Sequence, residues 1–344
     1  GGLTLSLDSL NNKAGALIVS GGGELSLVLA GALDNQGGII NGDGSVLLQA
    51  DGLNNDDGEI SGHQLTLELN TLSNRGGLVQ GNELSLTVPE LINTGGTIAA
   101  IAIDGAGLAL SVNGLLENSD GLLLSRGQQF SVDAHTLLNH DGEILHSGNG
   151  SMVLRAGALN NDLGRVQSNT DLSVYVQDVT DFSNRAGMLS AVDNLIIDAI
   201  AGIDNTDGQL LAGQSLTVSS KHLDNQNGLL SATAVSVRAD TIDNTGEGVI
   251  EAETLALHAD TLTNSGTLLA TGNIGQSLEF DITSFLNTGL LESHGVDLLL
   301  NNINLHSDGG QIIHQGAGEL RIVASGTFDN RDGTLATRGV LNFQ

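Results

Sequence analysis

Four kinds of residue in this chain could do chemistry, and their spacing decides which chemistry is available. Carboxylates lead: forty Asp and Glu face eleven Lys and Arg, a formal net charge of −29. Acids beside glycine, as in "NGDGS" at 41–45 and "NNDDGE" at 54–59, are what a calcium-binding β-roll uses. That chemistry repeats as G-G-x-G-x-D-x-U-x, and no such nonapeptide recurs; Asp and Asn beside Gly are ordinary turn chemistry. The nine His are scattered. His294 and His314 each lie seven residues past a recurring anchor, which brings them near one another, and His140 and His146 share a third repeat unit. No Cys or carboxylate recurs beside them at metal-ligand spacing, so they are expected to be exposed and solvated. Arg75, Arg185 and Arg331 each follow an anchor Asn, and one unit earlier the same slot holds Asp56, Asp162 and Asp308. Stacked Arg-over-Asp pairs of this kind contribute about 0.2–1 kcal/mol each and relieve crowded acid. The fourth kind is Asn itself, which recurs so regularly that structure rather than reaction must explain it. No metal and no organic cofactor is expected.

Composition narrows the class further. Apolar residues make up 40% of the chain, yet aromatics are only 2%, with one Tyr (Tyr175), six Phe and no Trp; Gly occurs 48 times and Pro once. Stacks of similar aliphatic side chains fit this better than a jigsaw core. Lys13 and Lys221 are the only lysines. A nucleic-acid partner needs a basic footprint, and anionic lipid is disfavoured for the same reason. Cys is absent, which excludes a disulfide framework and thiolate metal sites. No apolar run is long enough to span a bilayer, so no membrane insertion of this segment is expected. The first residues, "GGLTLSL", already read as a strand. Residues 1–344 are therefore expected to be a single segment of a longer protein.

The elements that position these residues follow from an internal repeat. Fifteen Asn fit an L-x-N pattern: Asn12, Asn35, Asn55, Asn74, Asn93, Asn118, Asn139, Asn161, Asn184, Asn205, Asn225, Asn244, Asn264, Asn287 and Asn330, with Ser307 in the remaining slot. Spacings run from 19 to 25 residues, a period near 21, over the whole chain. Two residues before the anchor, all sixteen units carry a large apolar residue, such as Leu33, Leu72 or Phe182. Three residues after it, thirteen have Gly; five after it, fifteen have an aliphatic residue, with Glu292 the exception and Gly289 marking a one-residue slip. Alternating runs such as "LTLEL" at 65–69 and "LSVYV" at 172–176 complete each unit. Period-2 alternation is a strand signal, and helical periodicity is missing.

A unit of about 20 residues with three short strands and Gly-marked turns predicts one rung of a parallel β-helix, an all-β solenoid of about 16 rungs. At about 4.8 Å per rung the stack predicts a monomeric rod of roughly 75 Å. The anchor Asn and the apolar residue two before it share a parity, so both are expected to point inward. The Asn side chains would hydrogen-bond along the axis and satisfy turn amides, and the Gly three residues on would supply a positive φ at the corner.

The longest unit, 93–118, carries the apolar insertion "IAAIAIDGAGLAL" at 98–110. Its Ile101, Ile103 and Asp104 are candidates for a partner contact, since extra residues in a solenoid map to loops. The plainer reading is an extra buried strand segment. A carbohydrate-active β-helical enzyme would need acids converging on a cleft or an aromatic platform, and neither is written here.

The units "LDNQGGII", "LSNRGGLVQGNELSL", "IDNTDGQLLAGQSLTV" and "LDNQNGLLSATAVSV" resemble haemagglutinin repeats, and the resemblance extends over residues 3–344. These repeats belong to the filamentous haemagglutinin family of two-partner secreted exoproteins, which includes contact-dependent growth inhibition toxins. The resemblance implies a right-handed parallel β-helix on a Gram-negative surface, exported unfolded through an outer-membrane β-barrel partner. It implies a non-enzymatic adhesin shaft or toxin stalk that presents a distal region to a target-cell receptor, protein or glycan. A segment that itself binds the receptor is the alternative, and an enzyme the third.

Overall fold

Aliphatic residues alternating with polar ones leave the chain one economical solution, strands that bury every second side chain against copies of themselves. The computed structural model describes residues 1–180, 182–301, 304–324 and 326–344. Among them there are 37 strands and no helix. The strands wind into a parallel β-solenoid of about 16 turns with a spacing near 21 residues. The chain divides into two compact units, Gly1–Gln177 and Asp178–Gln344.

In the first unit, Leu25, Val46, Leu65, Leu84, Leu108, Phe130, Met152 and Leu172 pair Cα to Cα from rung to rung. All eight are buried. Their sequence neighbours Ser26, Leu47, Thr66 and Ser85 form the next column and point to the opposite face. In the second unit Leu195, Leu216, Val235, Leu255 and Leu278 form the corresponding column. Similar shapes stacked at one strand spacing pack without voids, which is why the core needs few aromatic rings.

Two expectations about the turns are corrected. The Gly three residues past each anchor is not the residue with positive φ. The left-handed position lies one earlier, at Asp57 (φ 55°), Gly76 (61°), Asp120 (55°) and Asp207 (57°), and Asp tolerates it because its short polar side chain bonds locally. The Gly is there for space. A Cβ on Gly58 would sit 2.3 Å from the carbonyl oxygen of Asn35, and one on Gly77 would sit 2.2 Å from that of Asn55. Each corner is pressed against the rung before it, and only hydrogen fits between.

The apolar column five residues past the anchor also slips more often than the spacing suggested. Ile250 lies six past Asn244, while Leu268 and Leu291 lie four past Asn264 and Asn287. Each is 0% exposed, and the pairing Ile250–Leu268–Leu291–Ile312 is unbroken. Pairing and burial therefore override residue counting, and turns of different length absorb the difference.

Candidate functional site

The anchor asparagines are the most regular polar feature of the fold. Asn35, Asn55, Asn74, Asn93, Asn118, Asn139 and Asn161 in the first unit are 0% exposed, as are Asn184, Asn205, Asn225, Asn244, Asn264 and Asn287 in the second. Each sits at the end of a strand in which the apolar residue two positions earlier faces the core, so strand alternation aims the amide inward as well. In the first unit Asn12 begins a chain of amides in which each Nδ2 donates to the next Oδ1 at 2.7 Å, as far as the Oδ1 of Asn161. In the second unit the same run goes from Asn184 to Asn287 at 2.7–2.8 Å.

The groups satisfied are carbonyls, not the turn amides expected from sequence. Asn35 Nδ2 also donates to the carbonyl of Gly38 in its own turn and of Glu59 in the next rung, both at 3.2 Å. The turn N–H groups already have backbone partners: Asn55 N–H donates to Ser73 O at 2.7 Å and Gly58 N–H to Asn55 O at 3.0 Å. The corner carbonyls can take a second donor: Gly38 O, for one, also accepts from Glu59 N–H at 2.8 Å. A carboxamide carries two N–H donors and a carbonyl acceptor on one short side chain, so it can serve those carbonyls and still stack on its own copies. The aligned amides polarise one another in a dry interior.

The ladder breaks where Ser307 replaces Asn. Asn287 Nδ2 reaches Ser307 Oγ at only 3.4 Å, and Asn330 Oδ1 is enclosed without a donor. Asn330 still donates to Gly333 O at 3.2 Å. Ser307→Asn is expected to raise stability by about 1 kcal/mol, since it supplies the missing donor and a better acceptor. Urea unfolding of the two chains side by side checks this, and an unchanged or lower midpoint would contradict the gap.

The carboxylates do turn work. Asp34, Asp204 and Asp224, each one residue before an anchor, accept from the backbone N–H two residues on at 3.0–3.1 Å, the Asx geometry that Asp favours. Arg75 reaches Asp56 at 3.9 Å and Arg331 reaches Asp308 at 2.9 Å. Arg331 also pairs with Asp329 at 2.9 Å, and its donated hydrogen bond holds that carboxyl below its ordinary value. Arg185 pairs at 3.4 Å with Asp204 of the following rung.

Histidine is where the sequence reading needs most correction. His146 and His314 are 1% exposed rather than solvated. They occupy a second inward corner, seven residues past the anchor, that Ser125 and Ser168 fill in neighbouring rungs. His294 does not join His314 there: the slip described above puts Ser293 opposite His314, and His294 turns outward to Glu292 at 2.9 Å. Among the described residues no group of three or more His, Cys, Asp or Glu is placed to hold a metal ion.

The 98–110 insertion is not one buried strand. Thr97–Ala100 is a strand, and another begins at Gly107. Between them the chain loops out: Ile103 is 66% exposed, Asp104 is exposed and Ile101 half-buried. The loop is tied back by Ile101 N–H donating to Gly81 O at 2.9 Å and Ala106 N–H to Glu83 Oε1 at 3.1 Å. Among the described residues no helix is long and apolar enough to cross a membrane.

A parallel β-solenoid lined on one inner corner, in each unit, by a run of stacked amides defines a repeat scaffold. The chain belongs to the haemagglutinin-repeat family, whose model matches residues 1–68, 60–120, 108–174, 156–277 and 254–332. It is 30% identical over 249 residues to a protein named Toxin CdiA from Yersinia pestis, covering 69% of this chain and 7% of that one. It is 34% identical over 229 residues to one named tRNA nuclease CdiA-2 from Burkholderia pseudomallei (strain 1026b), covering 65% of this chain and 7% of that one. The chain thus spans about 7% of the length of the curated relatives it matches. No solved structure matches it. Haemagglutinin repeats and β-solenoids are typically structural.

Proposed function

We propose that this chain is a stalk: a non-enzymatic stretch of a large secreted surface protein of a Gram-negative bacterium, an adhesin or a contact-dependent growth inhibition toxin. In this role it holds a distal receptor-binding or toxin region toward a target cell. One observation carries the reading. The chemistry that recurs most regularly, the amide ladder, faces inward and is engaged in stacking. A side chain repeated at every level serves stacking, whereas recognition singles out one level. Eight anchor positions fall in each compact unit, so each stacks to roughly 38 Å at about 4.8 Å per rung.

Likeness to the two toxins supports residues 1–344 as one segment of a much longer chain, exported through an outer-membrane β-barrel partner and folded outside. A chain without Cys suits that route, because it needs no oxidation to fold. The net charge of −29 keeps such a scaffold soluble and away from anionic lipid and nucleic acid. A nuclease activity such as the Burkholderia relative's name states would lie outside this segment.

A second reading, that the segment itself binds a cell-surface receptor, is favoured by the exposed Ile103 on its loop. The test is saturable binding of the labelled 344-residue chain to a panel of bacterial and epithelial cells. A folded monomer that binds none of them is the expected result. Saturable binding to one cell type, lost when 98–110 is shortened, would replace the stalk with a recognition segment.

A further inference from the structure

The inner corner seven residues past the ladder is built from small side chains: Gly62, Gly81, Ala100 and Ser125 occupy it in successive rungs. His146 comes next, enclosed between Ser125 and Ser168. Its Nε2 lies 2.9 Å from the carbonyl oxygen of Gly150, so that nitrogen carries the proton and donates. Its Nδ1 is buried with no hydrogen-bond partner, and Phe130 meets the ring edge-on at 6.2 Å. His314 offers an internal comparison. It is equally enclosed in the equivalent corner of the second unit, but both nitrogens are engaged, Nε2 with Gly295 O at 3.1 Å and Nδ1 with Thr337 Oγ1 at 3.0 Å.

We infer that His146 is an acid-sensitive latch: as the neutral imidazole it closes the corner at 146–150, and taking up a proton opens that corner and loosens its rung. Nδ1 has no hydrogen-bond partner to receive an added proton, beyond the partial offset from the Gly150 and Ser125 backbone, and the new charge finds no counter-ion. The strands packed on His146 or next to it carry Glu143, Arg165, Asp133, His135 and Arg155, and the adjoining turns carry Arg126 and Asp171. Glu143 and Arg165 pair with each other at 3.8 Å, and the other five are exposed. Burial moves the His146 pKa below its ordinary 6.5, with hydrogen bonds to the Gly150 and Ser125 backbone opposing the shift. The sign follows. A group that binds its proton more weakly when folded adds stability that is complete above pH 6.5, its unfolded value. That stability is lost as pH falls from there through the lower folded value, by up to about tenfold in the opening equilibrium per pH unit.

Hydrogen exchange of the 143–152 segment at pH 7 and pH 5, corrected for intrinsic rates, tests the latch in the full 344-residue chain. In the parent, opening is expected to rise about tenfold between the two. His146→Ser should abolish the rise, because Ser is the side chain this corner uses on either side, where Ser125 Oγ donates to Gln129 O at 2.9 Å and Ser168 Oγ to Asp171 O at 3.0 Å. His314→Ser should leave it intact. Equal acid sensitivity in the parent and His146→Ser would overturn the inference. Should that variant fail to fold, an NMR titration of the parent decides: protonation of His146 at or above pH 6.5 with unchanged exchange at 143–152 would equally overturn it.

Discussion

Leu72→Asp is expected to lower the stability of the chain by about 5 kcal/mol, the largest effect foreseen for a single substitution. Leu72 is 1% exposed and pairs with Leu53 below and Leu91 above, which are 2% and 0% exposed. The substitution removes a buried isobutyl group from a continuous aliphatic column and puts a carboxylate where no donor and no water are at hand. Leu→Ala in a core already costs roughly 2–5 kcal/mol, and an unpaired charge adds its desolvation. Thr71→Gln, one residue earlier and facing solvent, is expected to change stability by less than about 0.5 kcal/mol. Urea midpoints of the two variants read the parity of the strand directly. An unchanged midpoint for Leu72→Asp would remove the inward assignment.

Asn74→Leu is expected to cost about 3 kcal/mol, although Leu is nearly isosteric and more apolar. Asn74 is 0% exposed. Its Oδ1 accepts from Asn55 Nδ2 at 2.7 Å, and its Nδ2 donates to Asn93 Oδ1 at 2.7 Å, Gly77 O at 3.1 Å and Thr97 O at 3.3 Å. The leucine side chain takes the ladder donor from Asn93 Oδ1 and the ladder acceptor from Asn55 Nδ2, and it removes the second donor from Gly77 O, which keeps Thr97 N–H at 2.8 Å. Each buried group left unmatched costs about 1–3 kcal/mol, offset in part by the gain from burying the methyl groups. The same urea series measures it. A variant as stable as the parent would mean that the ladder is incidental to the stack.

Most of this fold was legible in the sequence because a solenoid repeats its constraints. A residue that stacks on its copy must be the same kind of residue at every level, so Asn74, Leu72 and Gly77 announce their places through sixteen near-identical contexts. The role of each place was less legible. Gly three residues past the anchor looked like a φ requirement, and proved to be a clearance requirement against the carbonyl of the previous rung. The amide ladder looked like a partner for N–H groups and turned out to serve carbonyls, because donor and acceptor supply at a corner depends on backbone orientation. The burial of His146 and His314 escaped the sequence reading, which expected them in solvent. Their corner is filled by Gly, Ala, Ser and His, which share no chemistry, only a distance from the anchor. That distance was the available signal, and turn slips such as the one at His294 blurred it.

The central claim is that this segment works through the number of its rungs rather than through any one of them. The most direct measurement removes single rungs, residues 74–92 in one variant and 205–224 in another, from the longer surface-displayed chain proposed above, and scores adhesion or toxin delivery to target cells. The expected result is that the two deletions behave alike, with function declining only as more rungs are taken out. Loss of function from one deletion with the other silent would contradict the stalk and place recognition in the rung whose removal was not tolerated.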